Sequence, residues 1–438
     1  MNVHDSEHLA GLLESIGYLP ASEEAEADII LLNTCSVREK ADQKLFSRLG
    51  RVGELKLSKP GLVVCVCGCT AQREGVALFR RAPFVDIVLG TRTVARLPVV
   101  LRELLQRRED GRSASRCRRC CVELSTDIGD VSVYVRSSAA VAYVTIMEGC
   151  DNYCSYCIVP FVRGREVSRS SVSILDEVRG LAAEGYREVH LLGQNVNSYF
   201  DTAAEVSFAD LLGRVSGVGG ISRIRFITSH PKDLNEEIIA AMANNDNICN
   251  AIHLPPQSGS NRILKAMNRG YTRERYLETT YLLKRNLKNI SVSGDIITGF
   301  PGENGLDFKQ TLDLVREVGF SQLFTFIYSP RPGTAAEHLV DDVPREVKID
   351  RLHRLQELQN SIQLERHRKM IGSKLEVLIE GESARGGGQT TGRTEGNTIV
   401  NIDDCDKPAS SIVLVSITDA GVHSLKGRIG GHLDKRNI

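Results

Sequence analysis

Cys150-Asp151-Asn152-Tyr153-Cys154-Ser155-Tyr156-Cys157 is the stretch on which the reading of this chain turns. It follows the apolar run Ala142–Met147, whose composition predicts a buried strand, so the three cysteines fall in the loop at that strand's C-terminal end. Three thiolates at CxxxCxxC spacing can hold three corners of a [4Fe–4S] cluster and leave the fourth iron open to a substrate-like ligand. A zinc site would want a fourth Cys or His nearby, and this loop supplies none.

Downstream, strand signals recur at Glu188–Leu192, Arg223–Thr228, Asn250–Leu254, Ser291–Ile297 and Leu323–Ile327, with helical stretches between them. Six strand–helix repeats over 137–368 predict an open (βα)6 partial TIM barrel, in which loops after the strands carry the site. A charged helix from Arg345 to about Met370 ends this zone. Upstream, residues 1–125 begin with a helical pattern through Ile16. Apolar runs at Asp28–Asn33, Leu62–Val66 and Val85–Gly90 then predict a small parallel α/β domain. Arg107 to Arg119 is basic and weakly periodic and reads as an interdomain linker. Residues 371–436 are rich in Gly and Thr, with alternating runs such as Leu375–Ile379 and Ile412–Val415, and predict a small β-barrel. The fold class is therefore α/β, with a C-terminal β-barrel.

A hydrophobic fraction of 42% and a charged fraction of 25% are globular values. The formal net charge is zero, so any grip on nucleic acid must come from local basic patches. No apolar run is long enough to span a bilayer and no signal segment opens the chain, which predicts a soluble, cytoplasmic protein. Twelve cysteines in a chain of this length favour reduced, metal-binding thiols over a disulfide framework.

Cys150–Cys157, with Tyr156 before the last cysteine, resembles the signature of the radical S-adenosylmethionine (SAM) enzymes. Ile158-Val159-Pro160 and Arg163–Arg169 narrow the resemblance to the methylthiotransferases acting on adenosine in tRNA. Leu192–Tyr199, Ser229-His230-Pro231, Gln257–Ser260, Met267–Arg273, Ile297–Glu303 and Tyr328–Thr334 do the same. The resemblance implies a [4Fe–4S] cluster on Cys150, Cys154 and Cys157, with SAM on its open iron. It also implies SAM contacts from Tyr156, Gly193, Gln194, Ser258 and Asp295. Asn33–Ala41 and Gly68–Ala71 resemble the segments that carry Cys35 and Cys69 as ligands of a second, auxiliary [4Fe–4S] cluster associated with the inserted sulfur.

The sequence departs from that family pattern at its start. The family's third auxiliary ligand precedes a Met-Asn pair, and this sequence begins at Met1-Asn2; a start assigned too late is the favoured expectation, a lost first strand the alternative. Cys65 and Cys67 alternate with Cys69 and could substitute if the strand stays extended, though they read better as apolar filler. Pro256 and Gly294 are further departures that remove no ligand. Cys117, Cys120 and Cys121 lie among arginines and support no zinc site; Cys249 and Cys405 read as packing or surface residues.

Lys374 to Arg428 resembles the TRAM domain of RNA-modifying enzymes, most clearly at Thr391–Asn397. Lacking aromatics there, it would hold RNA through Lys374, Arg393, Lys426 and Arg428, helped by Arg366, Arg368 and Lys369. The expected activity is methylthiolation at C2 of N6-isopentenyladenosine beside the anticodon, with a second SAM as methyl donor. No catalytic acid or base is named by the sequence. Expected partners are a tRNA anticodon stem-loop and a flavodoxin- or ferredoxin-like electron donor, with the protein a monomer. The alternatives are a methylthiotransferase for threonylcarbamoyl-adenosine or for a ribosomal aspartate, and a tRNA-binding protein that cleaves SAM but cannot insert sulfur.

Overall fold

Val63-Val64-Cys65-Val66-Cys67 is apolar at every position, and such a strand is stable only when covered on both faces. The computed structural model describes residues 1–36, 39–113, 117–124, 134–383 and 388–429, with the side chains at 39–41 also outside that description. Val37 and Arg38 of the Asn33–Ala41 stretch, Arg116, and the end of the C-terminal zone fall outside it too.

The first domain is a four-stranded parallel sheet, β1 (Ile29–Thr34), β2 (Val63–Gly68), β3 (Ile87–Leu89) and β4 (Arg119–Cys121), ordered β1-β2-β3-β4. Helices Asn2–Glu14 and Leu97–Glu109 cover one face, where Leu9, Leu101 and Leu104 meet Val63, Cys65 and Cys67. Helix Glu39–Ser58 covers the other, where Leu45 and Leu49 meet Val64 and Val66. The linker expected over 107–119 is corrected. Arg107 to Glu109 complete a helix, Cys117 is buried in the first of these cores, and Arg119 opens a fourth strand. A three-residue strand that begins on an arginine is too short to show its period, and its pairing with β3 holds it in place.

The central domain has six parallel strands in two sheets: β5 (Val141–Thr145), β8 (Glu188–Leu192) and β11 (Arg223–Ile227), then β12 (Ala251–His253), β13 (Ser291–Thr298) and β14 (Gln322–Ile327). Backbone bonds from Ile224 N to Asn247 O (2.7 Å) and from Cys249 N to Ile224 O (2.9 Å) join the two halves. β5 and β14 remain unpaired with each other, so the barrel is open along one side, as six βα units imply. The helices between the strands bury Val144, Leu191, Phe226, Ile252 and Ile296 on the outer face, and alternate residues face the lumen.

After helix Arg345–Arg368 comes a closed five-stranded barrel, β15 (Lys374–Glu382), β16 (Thr390–Thr394), β17 (Ile399–Asp403), β18 (Ile412–Ala420) and β19 (Leu425–Ile429). Its turn after β16 docks under the central barrel. Arg223 donates to Arg393 O (2.9 Å) and Glu376 O (3.0 Å), and Arg225 to Glu395 O (2.6 Å) and Thr394 O (2.8 Å). Glu188 accepts from Arg225 Nε (2.7 Å). These side chains lie at the N-terminal ends of β8 and β11, so the turn closes the lumen from below. Thr391–Asn397 is thus a docking element rather than a free RNA face, and Arg393 is tied to Glu380 (2.9 Å). Among the described residues no helix is long and apolar enough to cross a membrane.

Candidate functional site

The loop bearing the three cysteines is closed at its base by the two-residue strands β6 (Met147–Glu148) and β7 (Val167–Ser168), which pair antiparallel. Gly149 has φ of +85°, and a Cβ there would press into Arg165 O, so only glycine fits where the chain enters the loop. Asn268 Nδ2 donates to Tyr153 O (3.0 Å), Ser155 N to Met267 O (3.0 Å) and Ser155 Oγ to Ala266 O (2.8 Å). The loop is therefore pinned to the end of helix Asn261–Ala266, at the C-terminal mouth of the barrel.

Burial pushes the Cys157 thiol up to about 12, helped by the neighbouring Cys154 and Cys150 sulfurs; burial raises Cys150 as well. Three thiols gathered on one loop, with Cys150 and Cys157 raised by burial, are a donor set suited to a cationic group, and an iron–sulfur cluster would draw off their protons. No three Cys, His, Asp or Glu side chains among the described residues are close enough to share a single metal ion. A four-iron cluster spreads its ligands more widely than one ion does, so the set fits a cluster better than zinc.

Arg269 is the residue whose role the sequence did not disclose. It is 5% exposed and donates to Cys154 Sγ (3.2 Å), Tyr156 Oη (3.5 Å) and Pro255 O (3.0 Å). A buried arginine on a thiolate's sulfur offsets the charge of a cluster held there and orients its ligand. The Met267–Arg273 stretch contained it, but only folding brings it to a cysteine more than a hundred residues away.

Of the expected SAM contacts, Tyr156 lies against Arg269, and Gln194 Oε1 accepts from the Gly149 amide, with Gly193 packed against Met147. Ser258 is 1% exposed, and its Oγ is engaged by Ser260 N (3.2 Å). Asp295 faces the lumen 3.5 Å from His253. The structure brings the first three to the cysteine loop and sets Ser258 and Asp295 across the mouth on β13 and the segment paired with it.

Cys35 and Cys69 each follow a strand end, and Thr34 is in register with Gly68, so both lie at one sheet edge. Cys69 packs against Ile158 and Val162, just beyond Cys157. Burial pushes its thiol up, against the pull of the Arg163 guanidinium. A cavity of about 580 Å³ lined by Leu31, Asn33, Thr34 and Cys35 opens beside this edge. Substitution by Cys65 or Cys67 is ruled out. Gly68 (φ +92°) turns the chain before Cys69, and the Cys65 and Cys67 sulfurs lie 3.4 Å apart inside the core of the sheet. The described residues thus place the Cys35 and Cys69 thiols together at this edge.

The Radical SAM superfamily model matches residues 144–315, the model described as "Uncharacterized protein family UPF0004" residues 1–90, and the TRAM domain model residues 368–429. A tRNA-2-methylthio-N(6)-dimethylallyladenosine synthase from Geotalea uraniireducens is 48% identical over 430 residues, 98% of this chain and 96% of its own length. The chain belongs to this methylthiotransferase family of radical SAM enzymes. A synthase of the same name from Carboxydothermus hydrogenoformans is 46% identical over 98% of this chain and 96% of its own. Among solved structures, the radical SAM methyltransferase TsrM from Kitasatospora setae superposes with a TM-score of 0.57, covering 88% of this chain and 77% of its own. At 16% identity that likeness is one of fold.

Proposed function

We propose that this methylthiotransferase adds a methylthio group to C2 of N6-isopentenyladenosine beside the anticodon of tRNA. The observation that carries the reading is the three-thiol loop pinned at the mouth of the open barrel, in a chain homologous to the synthases along nearly its whole length. Cys150, Cys154 and Cys157 would hold the [4Fe–4S] cluster. With SAM bound, it supplies the one-electron chemistry that delivers a 5′-deoxyadenosyl radical. Arg269 holds the Cys154 sulfur; Tyr156, Gly193, Gln194, Ser258 and Asp295 orient SAM. The plugged floor of the barrel keeps water out from below. Cys35 and Cys69 are this chain's share of a second cluster.

Domains at 1–125, 137–368 and 371–436 divide this work between sulfur supply, radical formation and RNA capture. Lys374, Ser416 and Arg428 lie side by side on β15, β18 and β19, and with exposed Lys426 offer phosphates a basic wall. The partner is the anticodon stem-loop, and a flavodoxin- or ferredoxin-like protein supplies electrons to a cytoplasmic monomer.

Nucleoside analysis of tRNA from a deletion strain tests the reading. Loss of the methylthio group from isopentenyladenosine, restored by the gene but not by its Cys154→Ala variant, is the expected result. Loss from threonylcarbamoyl-adenosine instead would overturn it, as would intact tRNA. Iron per chain after anaerobic reconstitution separates one cluster from two: about four or about eight irons.

A further inference from the structure

Phe324 is 40% exposed although it sits on a barrel strand and points inward. Among the described residues β14 pairs only with β13, where Asp295 is opposite Phe324, so the two share the lumen face. His253 on β12 is in register with Ser293 and points the same way. Its ring meets Phe324 edge-to-face at 6.0 Å, with 67° between the planes. Ser293 Oγ donates to Ile252 O (3.3 Å) and shares a 3.0 Å hydrogen bond with His253 Nδ1, which turns Nε2 toward Asp295 Oδ2 at 3.5 Å. A partly exposed aromatic ring and an imidazole held by Ser293 through Nδ1 therefore line one wall of the lumen, beside the gap between β14 and β5.

An aromatic left uncovered inside a barrel wants a flat apolar partner, and a fixed imidazole beside it supplies a hydrogen-bonding edge. The floor is occupied by the Thr394–Glu395 turn, and the cysteine loop stands at the mouth, so a ligand entering by the side gap would lie between them. Enzymes that act on a nucleobase take it out of its stack and hold it on aromatic faces with polar contacts at its edge.

Resting on the function proposed above, we propose that Phe324 and His253 form the seat of the target adenine: Phe324 stacks on the base, and His253, held by Ser293 through Nδ1, hydrogen-bonds its edge through Nε2.

The test uses the reconstituted full-length enzyme and two synthetic anticodon stem-loops, one carrying isopentenyladenosine at the target position and one abasic there. Wild type is expected to bind the first about tenfold more tightly, the value of one stacked base. Phe324→Ala should erase that preference, Phe324→Tyr should keep it, and His253→Gln should reduce it, while SAM binding stays unchanged in all three. Preference retained in Phe324→Ala overturns the assignment, as does a wild type that does not distinguish the two RNAs. So does loss of SAM binding alongside the preference, which marks a merely structural role. Should Phe324→Ala not fold, Phe324→Leu gives the same comparison with a side chain that fills the space but stacks poorly. A wild type that discriminates the base but never methylthiolates it counts against the proposed function alone.

Discussion

Replacing Glu188 with glutamine tests whether the C-terminal barrel is locked to the central one. Glu188 is 1% exposed and sits where β8 begins, accepting from Arg225 Nε at 2.7 Å and facing His190 Nε2 at 2.6 Å. Burial opposes its ionisation, but the bonds from His190 and Arg225 and the Arg225 charge outweigh burial and hold its pKa at about 2, against an ordinary 4.5. At about 1.4 kcal/mol per pH unit, that difference corresponds to roughly 3 kcal/mol of folded-state stability. The same order follows from leaving the Arg225 guanidinium buried without its anion, roughly 3–5 kcal/mol. Because the folded pKa is depressed, the contribution is complete above the unfolded pKa and lost as pH falls from about 4.5 towards 2. Urea unfolding of wild type and Glu188→Gln, followed by circular dichroism, should therefore show a gap of about 3 kcal/mol near neutrality that narrows by about pH 3. Hydrogen exchange at Thr394 and Glu395 should speed up in the variant, because Arg225 holds their carbonyls. A gap under about 1 kcal/mol, or one that does not narrow in acid, refutes the argument.

Arg269→Met should lower cluster retention or SAM cleavage about 10–100-fold, the usual cost of losing a group that supports a metal ligand, measured as iron per chain and 5′-deoxyadenosine formed. Gly149→Ala should abolish cluster binding while the rest of the barrel folds, since its Cβ has no space under Arg165 O; absorbance of the reconstituted cluster checks this. Cys67→Ala should leave the iron count unchanged and cost about 1–2 kcal/mol through the small cavity left in the sheet core, read from thermal unfolding.

The six barrel strands were legible because each carries apolar residues at alternate or successive positions and is followed by a helical repeat, and periods of that length survive in one dimension. The cysteine loop was legible because its three cysteines lie within eight residues of sequence. β4 was not, since Arg119-Cys120-Cys121 carries no period and owes its conformation to the neighbouring β3. The docking of Thr394-Glu395 under the barrel was invisible for a related reason. Arg223 and Arg225 look like surface charges on a strand until the lumen and its plug are both in place. Arg269 illustrates the limit most sharply, because a side chain more than a hundred positions from Cys154 becomes its neighbour only in three dimensions.

Arg163 lies six residues beyond Cys157, on the short helix Val159–Arg163, yet its guanidinium reaches Asp5 of the first helix at 2.6 Å and the buried carboxylate of Glu148 at 3.7 Å. Thr91 of the first domain also donates to Val162 O on that helix at 2.7 Å. The central barrel is for this reason not a self-sufficient cassette. Excised without the first 125 residues, it would keep all three cysteines but lose the tether that sets the downstream end of their loop. Transplanting the barrel onto another N-terminal domain would require that domain to rebuild the grip on Arg163 first.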